Sequence, residues 1–278
     1  MRIAAFDPAF ATIVRYHSGR ATCWMTKALP MLPIPPEELR VWVGPFGDAE
    51  LYRASGESDL QSIIELCGLK PHAQVLEVGC GCGRIATALG SYLADSGSYA
   101  GFDVAPPLLN WCREELQPRL RRFRFHLADE VHAPGHNPSG NKSAAEFEFP
   151  YPSGGFDLVI LSSVLTHILP EAIGNYLRET ARVLRPAASA FITAFLFDAA
   201  AANAVNTQTT IFDFRHRIGS CLTFDPVHPE EGIACEEGWF LEEVSRAGLR
   251  LRTLRRGDWR KVRSYLITQD HVVATKDR

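Results

Sequence analysis

One stretch, VLEVGCGCGRIA from Val75 to Ala86, limits the fold of this 278-residue chain more than any other. An apolar run carries Glu77 near its end, and three glycines follow at alternate positions, Gly79, Gly81 and Gly83. A buried strand that ends in backbone without side chains lets the main chain approach a ligand closely, and a helix beginning near Arg84 aims its unpaired amides the same way. The surrounding sequence keeps the rhythm. AQVLEVG, SYAGFDV, FRFHLAD, FDLVILSS and ASAFITAFLF read as strands, and RIATALGSYLAD, PPLLNWCREELQ and PEAIGNYLRETARVL as helices. Strands alternating with helices of about a dozen residues imply a doubly wound α/β fold, a mostly parallel sheet with helices on both faces.

Two segments stand outside this rhythm. Residues 1–47 show weak periodicity and the proline-dense run LPMLPIPPEELRVWVGPFG, so they read as an N-terminal arm without a core of its own, leaving 48–278 as the domain. The domain starts with a helix, since Leu51, Leu60, Ile63, Ile64 and Leu66 recur at helical spacing before Gly68 and Pro71 end it. Between Asp129 and Phe156, joining the third and fourth strands, lies a long polar loop with little regular pattern. The tail reads as a helix and two strands joined by a basic connector.

Composition excludes several classes. Hydrophobic content of 46% and charged content of 22% are those of a globular chain, and a net charge of −3 gives no overall pull toward nucleic acid or anionic membrane. The opening MRIAAFDPAFATIV is interrupted by Asp7 and Pro8 where a secretory signal needs apolar continuity, and FDLVILSSVLTHIL is too short and polar to span a bilayer. The expectation is a soluble, cytoplasmic protein. Seven scattered cysteines suit reduced thiols. Cys80 and Cys82 lack partners at zinc-site spacing, and His126, His132 and His136 read as surface histidines, so no metal is expected.

The glycine spacing speaks to the ligand. A dinucleotide loop has G-x-G-x-x-G, whereas here the last slot holds Arg84, and Glu77 would sit unfavourably near a pyrophosphate. An ammonium or sulfonium group would favour that carboxylate. Asp103, ending the second strand, suits ribose hydroxyls, and Asp129, read as ending the third, lies near an adenine amino group. Three carboxylates at successive strand ends describe a site for a cationic nucleoside.

On these residues the chain resembles the class I S-adenosylmethionine-dependent methyltransferases of small-molecule type. VLEVGCGCG matches the first family motif, GFDV the ribose acid, HLAD the adenine strand, FDLVILSSVLTHI the fourth strand and its loop, and RVLRPAASAFITAF the helix, turn and fifth strand. The likeness runs roughly from Leu60 to Phe197. It implies S-adenosyl-L-methionine as cofactor and S-adenosyl-L-homocysteine as product. It also implies that Gly79, Cys80, Gly81 and Gly83 surround the methionine part, with Glu77 beside them. Asp103 and Val104 would hold the ribose, Ala128 and Asp129 border the adenine, and Ser162 and Ser163 line the opposite wall. Small cysteines fit such a close-packed loop. The sequence departs from the family at Ala187 and Ala188, where paired glycines are usual.

Acceptor chemistry is less marked. An oxygen or nitrogen acceptor calls for a base, and His167 in SVLTHI stands just beyond the fourth strand, against the alternative that it packs at the next helix. Tyr151, Arg215 and His216 are candidates for the acceptor pocket, with a solvated turn as the plain reading of the last two. Phe147, Phe149 and Tyr151 either cover an apolar acceptor or pin the loop to the sheet. Arg250, Arg252, Arg255, Arg256, Arg260, Lys261 and Arg263 around Trp259 could track a phosphate backbone, or could protect a strand edge. The arm, with Trp24, Trp42 and Phe46, reads equally as a lid or a homodimer contact, and on the family likeness Tyr52 and Gly56 would neighbour the cofactor. The expected function is methyl transfer to the O or N of a small molecule, with no membrane and with nucleic acid the weaker partner. The alternatives are an RNA or protein methyltransferase, a catalytically silent cofactor-binding module and, against the glycine spacing, a nicotinamide oxidoreductase.

Overall fold

The structure, a computed structural model, describes residues 32–131, 137–198, 212–260 and 268–277. Trp24, His132, His136, Lys261 and Arg263 therefore lie outside the described residues. The chain forms two compact units, Met1–Leu127 and Ala128–Arg278.

In the first unit a short helix α1 (Glu37–Arg40) precedes α2 (Ala49–Cys67), β1 (Gln74–Val78), α3 (Arg84–Tyr92), β2 (Ser98–Asp103), α4 (Pro106–Trp111) and β3 (Phe123–Leu127). Asp48 caps α2 by accepting the Leu51 N–H at 2.7 Å, and left-handed Gly68 ends it, as the helical spacing predicts. The strands run parallel in the order β3-β2-β1. Val75 and Leu76 are fully buried in β1, which makes a rigid base for the glycine loop. A Cβ on Gly56 would stand 2.5 Å from the Arg84 carbonyl oxygen, so this glycine serves the close packing of α2 on α3.

The described end of the arm is folded rather than extended. Arg40 is buried and its guanidinium donates to the Pro35 carbonyl at 2.6 Å, the Phe46 carbonyl at 2.9 Å and the Gly47 carbonyl, wrapping the segment around itself. Ile34, Leu39, Val43 and Phe46 then pack against Tyr52, Cys82, Ala105 and Leu108.

The second unit holds β4 (Phe156–Leu161), α5 (Pro170–Val183), β5 (Leu184–Phe197), β6 (His216–Ile218), β7 (Cys221–Thr223), β8 (Ile233–Glu236), α6 (Glu237–Arg246), β9 (Leu249–Arg255) and β10 (Asp270–Lys276). β5 pairs in parallel with β4 and β8 and antiparallel with β10, which pairs with β9. Strands β6 to β8, an antiparallel addition, were not anticipated from the sequence. Within each unit the strands of the α/β alternation run parallel to their neighbours, a Rossmann-like fold. Where β10 begins, with Asp270 opposite Ala194, its carboxylate extends the pairing, accepting the Leu196 N–H at 3.0 Å while Arg260 donates to the Leu196 carbonyl.

The long loop is ordered by α5 where it is described. Asn175 donates to the carbonyls of Ala144 and Phe147, Glu179 accepts the Phe149 N–H, and Arg182 donates to the carbonyls of Phe149 and Tyr151. Phe147 and Phe149 are buried, and the Phe149 ring meets Tyr176 edge-on at 5.4 Å, so both aromatics pin the loop.

Candidate functional site

In the first unit the loop after β1 turns through left-handed backbone at Gly79, Gly81 and Gly83, with φ of 65°, 53° and 81°. At Gly83 the positive φ disfavours any side chain, and an added Cβ would also press on the Leu116 side chain at 2.5 Å. The Gly81 N–H donates to Asp103 Oδ2 at 2.7 Å, and the Ala105 N–H donates to Oδ1 at 2.9 Å. The Asp103 carboxylate is thus oriented at the end of β2, with half-buried Val104 beside it.

Glu77 is 3% exposed in β1 and accepts a hydrogen bond from the Tyr99 hydroxyl at 2.5 Å. Burial pushes its carboxyl up to about 8, against the opposing pull of the Tyr99 bond and the Arg84 charge. Arg84 is itself paired with Asp59 at 2.7 Å. The thiols of Cys80 and Cys82 are buried, and burial raises both, Cys82 to about 11. They are protonated and poorly nucleophilic at neutral pH, which agrees with a packing role. The Tyr52 hydroxyl donates to the Cys82 carbonyl at 3.0 Å and steadies the same loop.

In the second unit Ala128 is buried, and its carbonyl accepts from the Asn137 side chain at 3.1 Å. Asp129 is exposed and lies two residues beyond the end of β3, a correction to its expected place as the strand's last residue. Its Oδ1 accepts from the Asn141 backbone at 3.1 Å and from the Asn141 side chain at 2.9 Å.

Ser162 and Ser163 follow β4, and Ser163 has φ of 58°, a conformation that strains a residue bearing a side chain. A ring of hydrogen bonds holds it. The Ser163 N–H donates to Thr193 Oγ1 at 2.8 Å, the Thr193 hydroxyl to Gln269 Oε1 at 2.6 Å, and Gln269 Nε2 back to Ser163 Oγ at 2.8 Å. Donor accounting leaves the Ser163 hydroxyl proton and the second Gln269 amide proton as the donors the ring does not use.

His167 is exposed, in a 3₁₀ turn (Leu165–His167), with Nδ1 2.7 Å from the Glu230 carbonyl oxygen. A carbonyl only accepts, so Nδ1 carries the proton and Nε2 is the basic nitrogen of the neutral ring. Glu230 belongs to a second 3₁₀ turn (Pro229–Glu231) in the β7–β8 connection. Tyr151 is half-buried, its ring 5.2 Å from Phe156. Arg215 is ion-paired with Asp213, and His216 is exposed on β6.

Four of the described arginines on β9 and the connector have partners. Arg260 pairs with Asp270 at 2.8 Å, Arg256 with Glu237, Arg250 with Asp277 at 3.5 Å, and Arg255 donates to His271 at 2.7 Å. Among the described residues no cluster of His, Cys, Asp or Glu could hold a metal ion, and no helix is long and apolar enough to cross a membrane.

Thr193, Gln269 and the Glu230 carbonyl were missed in the sequence. Their partners are distant in the chain, and a backbone carbonyl has no signature in residue type.

Comparison with known proteins adds likenesses. A model described as a methyltransferase domain matches residues 76–192. Nocamycin O-methyltransferase of Saccharothrix syringae is 27% identical over 145 residues, 50% of this chain and 45% of that protein. Squalestatin hexaketide synthase of a Phoma species is 31% identical over 139 residues, 47% of this chain and 5% of that protein. The chain thus spans less than half the length of these curated relatives. The crystal structure of Burkholderia thailandensis 1,6-didemethyltoxoflavin-N1-methyltransferase, with bound 1,6-didemethyltoxoflavin and S-adenosylhomocysteine, aligns with a TM-score of 0.52 at 15% identity, covering 100% of this chain and 94% of that one. At that identity the likeness is one of fold.

Proposed function

We propose that residues 76–192, which match the model of a methyltransferase domain, are a class I S-adenosylmethionine-dependent methyltransferase domain, and that the protein uses it to move a methyl group to an oxygen or nitrogen of a small-molecule acceptor. The observation that carries this reading is in the first unit: a loop turned by three left-handed glycines, preceded by buried Glu77 and tied to oriented Asp103. That donor set fits a cationic nucleoside. S-adenosylmethionine supplies an electrophilic methyl on sulfur, leaving the protein to bind, align and exclude water.

Glu77 gives up its proton to face the cation, while the loop backbone, with Cys80, leaves room beside it. Asp103 accepts the ribose hydroxyls, next to Val104. Ala128 and Asp129 at the adenine, and Ser162 and Ser163 on the opposite wall, keep these roles on the family likeness alone. His167 is the base: its Nδ1–H is held by the Glu230 carbonyl, and Nε2 takes the acceptor's proton. Tyr151, Arg215 and His216 border the acceptor, toward which the unused Ser163 and Gln269 donors offer hydrogen bonds. The arm acts as a lid, a reading supported by Val43, which a Cβ on Gly81 would meet at 2.6 Å. The relatives' names cover both oxygen and nitrogen acceptors. The ion pairing of the connector arginines favours a small molecule over nucleic acid.

The test is calorimetric titration of the full chain with S-adenosylhomocysteine, with NAD as comparator and a folded Asp103→Asn protein as control. It is followed by transfer of labelled methyl from S-adenosylmethionine into fractions of a small-molecule extract. Binding that Asp103→Asn weakens, with transfer that His167→Asn lowers about 100-fold or more at unchanged S-adenosylhomocysteine affinity, is the expected result. No binding by folded protein, or tighter binding of NAD, overturns the reading.

A further inference from the structure

We propose that Cys221 and Cys235 are an oxidation site, closing to a reversible disulfide that staples the base of the β7–β8 loop. The two residues stand directly opposite each other on antiparallel strands. The Glu236 N–H bonds the Ser220 carbonyl at 3.0 Å, so 220 and 236 are a hydrogen-bonded pair and the next pair, 221 and 235, is the non-hydrogen-bonded kind. In such pairs the Cα atoms lie about 4.5 Å apart and side chains are closest, at the short end of the span a disulfide bridges. The sulfurs are 2.9 Å apart, and both thiols are free.

Both cysteines are buried, so reaction waits on opening of the strand pair and is slow. With a low-molecular-weight disulfide as oxidant, one cysteine thiolate attacks it and releases one thiol. The second cysteine then attacks the mixed disulfide and releases the other. Two cysteine thiols are oxidised, one external disulfide is reduced to two thiols, and the sulfur–sulfur bond passes to the protein.

The bridge would close around a loop that is already internally bonded. Thr223 Oγ1 donates to the Pro229 carbonyl at 3.2 Å, and Asp225 Oδ1 accepts the N–H groups of Val227 at 2.8 Å and His228 at 3.0 Å. The same loop presents the Glu230 carbonyl to His167. Oxidation therefore acts on the segment that orients His167, although formation of the bridge does not depend on methyl transfer.

The experiment equilibrates the full wild-type chain with glutathione disulfide in mild urea that loosens the strands without unfolding the chain. Remaining thiols are alkylated, and the peptides are read by mass spectrometry. The expected product is a Cys221–Cys235 cross-linked pair, two hydrogens lighter than the reduced peptides and restored by dithiothreitol, with amide exchange over 224–232 slowed several-fold. Full alkylation of both residues, glutathione adducts alone, a bridge to another cysteine, or unchanged exchange in the bridged protein overturns the proposal. Because the readout is on the wild-type chain, it does not depend on a cysteine variant folding.

Discussion

A carboxyl group sealed in β1 makes the state of its proton part of the chemistry of the loop that follows. Burial raises Glu77 from its ordinary 4.5 to about 8, so between these values the folded chain holds a proton that the unfolded chain releases. Its contribution to stability therefore falls as pH rises through that window. Glu77→Gln keeps an acceptor for the Tyr99 hydroxyl and removes the titration. Denaturation of the two proteins from pH 5 to pH 9 should show the wild type losing stability relative to the variant, and parallel curves would remove burial as the cause. The places of Glu77, next to the end of β1, and of Asp103, at the end of β2, were legible from sequence because each strand is contiguous in the chain. The partners of His167 and Ser163 were not, since Glu230 and Gln269 lie 63 and 106 residues away.

The turn into the paired part of β5 shows what a departure from family pattern means physically. Ala187 adopts φ of 64°, which a glycine takes without strain, and the β4–β5 register shifts between Phe156 and Leu158 on the facing strand. Ala187→Gly relieves steric strain and loses some backbone entropy, so a net gain of about 0.5–1 kcal/mol is expected in urea denaturation. A loss would mean that the alanine methyl has a packing role outweighing the strain. The long loop teaches a related lesson. Its own sequence looks irregular because its order is encoded in α5, where Asn175, Glu179 and Arg182 recur on one face and reach its backbone.

At the level of the chain, the alternating strands and helices through β5 were readable because each carries its own apolar run. The β6 to β8 addition was not: its strands are three or four residues long, too short for a period to show. The second unit depends on Asp270, which is fully buried and accepts from Leu196, Gly257, Trp259 and Arg260. Asp270→Ala leaves Arg260, the Trp259 indole and two backbone N–H groups without their acceptor and should cost about 3–5 kcal/mol in urea denaturation. A loss below about 1 kcal/mol would show that water replaces the carboxylate there.

The α5 anchors bear on how this protein could diversify. Asn175 and Arg182 grip carbonyls, and Glu179 an amide, so none of the three depends on which residue supplies the group. Phe147 and Phe149 must stay apolar, but Ala145, Glu146, Glu148 and Pro150 face solvent. Evolution, or a combinatorial library, can rewrite that surface without renegotiating how the loop is held.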